Sequence, residues 1–245
     1  MKTGQYATRL RGTLLPISHI RVEDAMTPLF YVLLGAAGVG TAVFFIWGLA
    51  SRRHSLPCPA WLGWMVEMDN PFTKTNRAAE IISHLDLHPG MVVLDAGCGP
   101  GRLTIPLARK LGGQGYVLAM DIQEAMLDRV REKACALGLD TSIRFLRAGL
   151  GEGKLEHNAF DRALLVTMLG EIPDREAALH ELFNALKPGG VLSVTEVIFD
   201  PHFKGRDTVC RAAMATGFRE KAFHGSRIAY TIHFEKPKPL GDRTA

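Results

Sequence analysis

Cysteine is scarce and scattered. The 245-residue chain has four, Cys58, Cys98, Cys135 and Cys210, with no CxxC pair and no zinc-like spacing. That excludes a disulfide framework and a zinc ribbon, and predicts free thiols in a reducing compartment with no metal site. Charge excess is missing too. A net charge of +4 is not the clustered basic field of a dedicated nucleic-acid binder, so no nucleic-acid partner is expected. It suits an anionic membrane surface only weakly. There is no internal repeat and no Walker loop. What is present is ordinary for a folded protein with a sizeable core: 47% hydrophobic and 22% charged residues. The length allows one large α/β domain plus an extra element, or two small domains.

One stretch lacks charge altogether. No charged residue stands between Asp24 and Arg52, and Pro28 to Ala50 is a continuous apolar run. As a helix it spans about 34 Å, which matches the hydrocarbon core with slight tilt. Tyr31 and Trp47 lie near its ends, where interfacial aromatics belong, and Arg52 and Arg53 follow like a stop-transfer flank. The run is too long and too far in for a signal peptide. A buried helix apolar all round needs a larger protein around it. The sequence therefore predicts an N-terminal segment (1–27), a single transmembrane helix (28–50), a linker or lid (51–72), a catalytic domain (73–236) and a mobile tail (237–245). Lys2, Arg9, Arg11 and Arg21 slightly favour an N-in orientation. Met26 stands directly before the run. A start there leaves only the Arg-Arg flank and puts the domain in the cytoplasm, the expected localisation; N-terminal sequencing that finds earlier residues overturns it.

From Thr73 the chain alternates helix and strand signals. Helices are predicted over 76–85, 101–111, 123–137, 174–186 and 206–216, with Asp174 as an N-cap. Strands are predicted over 91–95, 115–120, 143–148, 160–167, 191–197, 219–224 and 227–235. Such alternation argues for βαβ crossovers and a doubly wound parallel sheet with helices on both faces. Ligands then bind at the carboxyl ends of the strands.

The chemistry concentrates in VVLDAGCGPGRLTIPLA, residues 92–108. A dinucleotide fingerprint needs its third glycine at 102, where Arg102 stands; the third glycine is Gly101. Gly97 and Gly99 let the backbone turn sharply and approach a ligand. Asp95, ending the strand, suits a cationic group and repels a pyrophosphate. Asp121 ends the next strand, where a carboxylate accepts both ribose hydroxyls. The ligand is then a nucleoside carrying a cationic part. Cys98 sits within the turn and fills space.

These features resemble the class I S-adenosylmethionine-dependent methyltransferase family, in a branch that includes quinone-biosynthesis and other small-molecule enzymes. VVLDAGCGPG is similar to its first motif and VLAMD to its second; FDRALLVTMLGEIPD with LKPGGVLSVTE is similar to its fourth- and fifth-strand region. The resemblance covers about Met68 to Pro237. It implies a seven-stranded, mostly parallel sheet in order 3-2-1-4-5-7-6, and S-adenosyl-L-methionine as cofactor. It implies that Asp95, Gly97 and Gly99 line the methionine portion, Asp121 holds the ribose, Ile122 lies against the adenine, and Thr167 and Met168 face cofactor and acceptor. Many members carry an acid after the third strand. Here that place reads Arg147-Ala148-Gly149-Leu150, so a backbone contact from Gly149 or Leu150 is expected instead.

Methyl transfer needs alignment above all, and a general base only where the acceptor must lose a proton. Glu171, in MLGEIPD, is the candidate. The dispersed histidines read as structural or solvated, and Tyr230 as core. The expected partners are a small-molecule or lipid acceptor and a membrane via Pro28–Ala50. Three rivals stay open: a methyltransferase for a soluble thiol, amine or metalloid, a nicotinamide-dependent oxidoreductase, and a non-catalytic cofactor-binding module.

Overall fold

The structure is a computed structural model that describes residues 30–43, residue 67 and residues 73–239. The chain divides into two units, Met1–Trp47 and Gly48–Ala245. In the first, residues 30–43 form a helix, exposed throughout. Its 14 residues rise about 21 Å, less than the roughly 30 Å hydrocarbon core. Among the described residues no helix is long and apolar enough to cross a membrane. The expectation of a transmembrane helix over 28–50 is corrected to that extent: the described helix covers only 30–43, and both ends of the apolar run lie outside the described residues. So does the expected linker, Glu67 excepted.

The second unit holds seven strands in one sheet, ordered β3-β2-β1-β4-β5-β7-β6. They are β1 Val92–Ala96, β2 Tyr116–Asp121, β3 Ile143–Arg147, β4 Phe160–Val166, β5 Leu186–Val197, β6 Arg219–Gly225 and β7 Ala229–Glu235. β1 pairs in parallel with β2 and β4, and β4 with β5. β7 runs antiparallel between β5 and β6.

Alternation along each strand explains the two layers of core. Leu94 and Leu165 point to one face, where helices Arg175–Ala185 and Arg206–Ala215 supply Leu179, Leu182, Val209 and Ala213. Val93 and Leu164 point to the other, against Ile81, Leu107, Leu127 and Val130 from helices Ala78–Ser83, Thr104–Leu111 and Glu124–Ala136. A strand buried on both faces must be apolar at consecutive positions, as β1 and β4 are; β5 also buries Ser193, Thr195 and Glu196. Asp174 caps its helix by accepting from Ala177 N at 2.9 Å.

Three elements depart clearly from the expected bounds. The helix expected over 101–111 begins at Thr104, because 101–103 belong to the turn. β5 starts at Leu186 rather than 191, because Leu186 pairs with Phe160 and Lys187–Gly190 is held against Lys236 by Gly189 N→Lys236 O and Lys236 N→Gly190 O. The helix expected over 76–85 is split into a 3-10 turn Lys74–Asn76 and the helix Ala78–Ser83, with Arg77 extended between them.

Candidate active site

The parallel strands β1, β2, β4 and β5 end on the same edge of the sheet. At the β1 end, Asp95 is 3% exposed and accepts from Thr104 Oγ1 at 2.6 Å. Burial pushes its carboxyl up to about 6, against the lowering effect of Thr104 and Arg102 and with a small push from Asp121. An incoming cation would relieve that cost. The glycine turn is stitched to β2: Gly97 N and Cys98 N both donate to Met120 O, at 2.8 and 3.0 Å. Asp121 closes the stitch. One carboxylate oxygen accepts from Gly99 N at 3.0 Å and the other from Gln123 N at 2.9 Å. Burial still raises its pKa. Each oxygen keeps a lone pair for a further donor.

Gly97 has φ 71°, and a Cβ there would lie 2.4 Å from Met168 Cγ. The first glycine is thus required by backbone conformation and by the side chain that follows β4. Gly101 does something else. A Cβ on it would meet Val130 Cγ2 at 3.1 Å, so it seats the turn against helix Glu124–Ala136. Cys98 is 6% exposed, and burial together with Asp95 and Asp121 pushes its thiol far up, which leaves it inert.

On the β2–β3 side, Ile122 is 46% exposed. A Cβ on Gly149 would lie 3.4 Å from Ile122 Cγ2, so the two expected adenine contacts are neighbours. Leu150 turns its side chain into the core at 9% exposure. The expectation that no carboxylate stands here is corrected. Glu152 folds back and accepts from Gly149 N at 3.1 Å. Glu181, on helix Arg175–Ala185, holds the rest of the loop by accepting from Gly151 N, Lys154 N and Leu155 N at 2.5 to 3.0 Å.

The ends of β4 and β5 carry a second cluster. Thr167 takes φ 52° and is fixed by Thr167 N→Thr195 O and Thr167 Oγ1→Val166 O, both 2.8 Å. Such strain in a non-glycine residue persists only where its surroundings impose it. Beyond it, Glu171 Oε1 lies 3.6 Å and Asp200 Oδ1 3.8 Å from His202 Nδ1. Gly170 is packed on this histidine's backbone, where a Cβ would sit 2.0 Å from His202 O. Glu196 is 1% exposed; one oxygen accepts from Lys204 N at 2.9 Å and the other has no hydrogen-bond partner. Tyr230 Oη donates to Lys204 O. Burial pushes Glu171 up to about 8, helped by Asp200, Asp121 and Glu196. Burial does the same to Glu196, and raises Asp200.

The sequence reading named Glu171 but missed Glu196, Asp200 and His202. One signal was available for Glu196, an acid inside the apolar run of β5. Asp200 and His202 lie in a loop, and only the fold brings them to Glu171. Among the described residues no three His, Cys, Asp or Glu stand where they would hold a metal ion.

Residues 93–190 match the family described as "Methyltransferase domain". Over 122 residues the chain is 34% identical to the ubiquinone/menaquinone biosynthesis C-methyltransferase UbiE of Vibrio vulnificus, which covers 49% of this chain and 47% of that protein. The chain thus spans about half the length of the curated relatives it matches. The fold is shared with an S-adenosylmethionine-dependent methyltransferase from Aquifex aeolicus (TM-score 0.65, 21% identity, covering 73% of this chain and 99% of that one). It is also shared with geranyl diphosphate C-methyltransferase from Streptomyces coelicolor (TM-score 0.58, 15% identity, 65% and 78%).

Proposed function

We propose that this chain is a membrane-anchored S-adenosylmethionine-dependent methyltransferase acting on a small, lipophilic acceptor. The observation that carries the cofactor side is the Asp121 carboxylate, pinned between Gly99 N and Gln123 N with Asp95 buried one strand away. Two acids and a glycine turn fit a ribose joined to a cationic group and repel a diphosphate. Asp121 holds the ribose, Ile122 and Gly149 bound the adenine with Glu152 at its rim, and Asp95, Gly97, Gly99 and Met168 line the charged end.

The bound sulfonium supplies an electrophilic methyl group, and the protein aligns the acceptor and excludes water. Glu171, pushed up to about 8, is poised near neutral pH to take a proton. Glu171's part is to receive the acceptor's proton, and the acceptor's electron pair takes up the methyl group that the bound cofactor would supply. His202 Nδ1 stands 3.6 Å from that carboxyl, and burial, helped by the neighbouring Asp200, raises its pKa.

The acceptor is proposed from likeness and from location. The Vibrio relative is named for quinone biosynthesis, and an apolar N-terminal run would keep the domain beside membrane-dissolved rings. Labelled S-adenosylmethionine incubated with native membrane extract, followed by phase separation, tests it. Label in the lipid phase is expected; label only in water-soluble product would overturn the lipophilic acceptor. Thermal stabilisation by S-adenosylhomocysteine and none by NAD is expected; the reverse would overturn the cofactor.

A further inference from the structure

We propose that Ile198, Phe199 and Ile228 form a contact surface for an anionic lipid bilayer at the strand-end edge of the sheet. The inference rests on the reading that the 28–50 run is held in a membrane.

The three residues are 47%, 67% and 52% exposed. They form one patch, since Ile198 N donates to Ile228 O at 2.8 Å. All three lie just past the last ladder pair, Val197 with Ala229, so sheet packing does not require apolar side chains there. Exposed loops are ordinarily polar, and a local apolar cluster marks an interaction site.

Two features choose a bilayer as the occupant. The first is charge: Arg227, next to Ile228, is exposed, and so is Lys74. A Cβ on Gly225 would lie 3.0 Å from Thr75 Cγ2, which places Lys74 beside the same turn. Neither cation has an ion-pair partner among the described residues. Apolar side chains rimmed by lysine and arginine suit the boundary between acyl chains and anionic headgroups. The second is chemistry. Ile198 and Phe199 lie between Glu196 and Asp200, two members of the acid cluster. A bilayer seated here would deliver a dissolved acceptor to Glu171 without passage through water.

Hydrogen exchange on the full chain tests the proposal. The probes are vesicles of phosphatidylcholine alone and of phosphatidylcholine with phosphatidylglycerol. With the anionic vesicles, amides of 198–200 and 226–228 should slow by on the order of tenfold. Added salt should weaken the effect. Ile198→Ser/Phe199→Ser/Ile228→Ser should abolish it while keeping stabilisation by S-adenosylhomocysteine, the check on folding. Protection of 30–43 without protection of the patch overturns the proposal and leaves the anchor standing. Protection of neither overturns the anchor as well. Patch protection that rises with protein concentration and needs no vesicles assigns the face to a second copy and overturns the proposal.

Discussion

At the scale of single residues, Asp121 braces the glycine turn, and in the function proposed above it is also the ribose ligand. Its two oxygens accept from Gly99 N and Gln123 N, so it fixes the shape of the turns on either side before any ribose arrives. Hydrogen bonds to a charged group contribute about 1.5–3 kcal/mol each. Asp121→Ala should therefore weaken S-adenosylhomocysteine binding by on the order of a hundredfold in a calorimetric titration, and unchanged binding would place the cofactor elsewhere. Gly97→Ala makes a sharper test of the turn. The new Cβ meets Met168 Cγ at 2.4 Å on a backbone with φ 71°. The strain of a left-handed alanine costs about 1 kcal/mol, and the clash adds to it. The melting temperature should fall. Adding Met168→Ala should recover the part due to the clash and leave the part due to the backbone. Full recovery would mean that φ is not the constraint.

At the scale of elements, the loop between β3 and β4 shows how a helix prepares a site it does not touch. Glu181 accepts from Gly151 N, Lys154 N and Leu155 N. With those amides tied down, Glu152 can return to Gly149. Glu181→Ala should raise hydrogen exchange across 149–155 and lower stability by about 1–3 kcal/mol. It should also weaken cofactor binding without changing selectivity among acceptors. If exchange in the loop is unaltered, the helix does not hold it.

The same loop shows where sequence reading stops. Asp95, Gly97, Gly99 and Asp121 were legible because strand, turn and helix start are local patterns with local physical causes. The central strands were legible for the same reason, since an apolar run between turn signals has few other readings; β6, which reads REKAFHG, was legible only from the Gly225-Ser226 turn that joins it to β7. Glu152 was not legible. Its carboxylate arrives by a backward turn that Glu181, 29 residues on, makes possible. His202 and Asp200 reach Glu171 only because β4 and β5 are parallel neighbours. The start of β5 was misplaced because Lys187–Gly190 has the composition of a stop, and cross-strand pairing with Lys236 overrides that preference.

At the scale of the whole molecule, the buried titratable groups set an unusual pH response. Asp95 is pushed up to about 6, and Glu171 and Glu196 to about 8; Asp121 and Asp200 also shift upward. For each, the folded state keeps its proton longer than the unfolded chain, so stability is full at low pH and is lost as pH rises towards the folded value. His233 works the other way. Burial lowers it from 6.5 to about 4, so its contribution is present above 6.5 and lost as pH falls towards 4. Above pH 6.5 the histidine no longer changes, while Glu171 and Glu196, held up to about 8, still cost stability as pH rises. The ligand-free chain should therefore be more stable at pH 5 than at pH 8, the opposite of a protein held by ionised carboxylates. Glu196→Gln isolates one of the two largest carboxyl contributions. An amide reproduces the protonated acid and keeps an acceptor for Lys204 N. The shift from 4.5 to about 8 corresponds to on the order of 3 kcal/mol at pH 7, at about 1.36 kcal/mol per unit. Urea midpoints at pH 5 and 8 should diverge for the wild type and draw together in the variant. A wild type that is more stable at pH 8 would mean that these carboxyls are ionised and partnered. The acid cluster would then not hold the proton-accepting group proposed at Glu171.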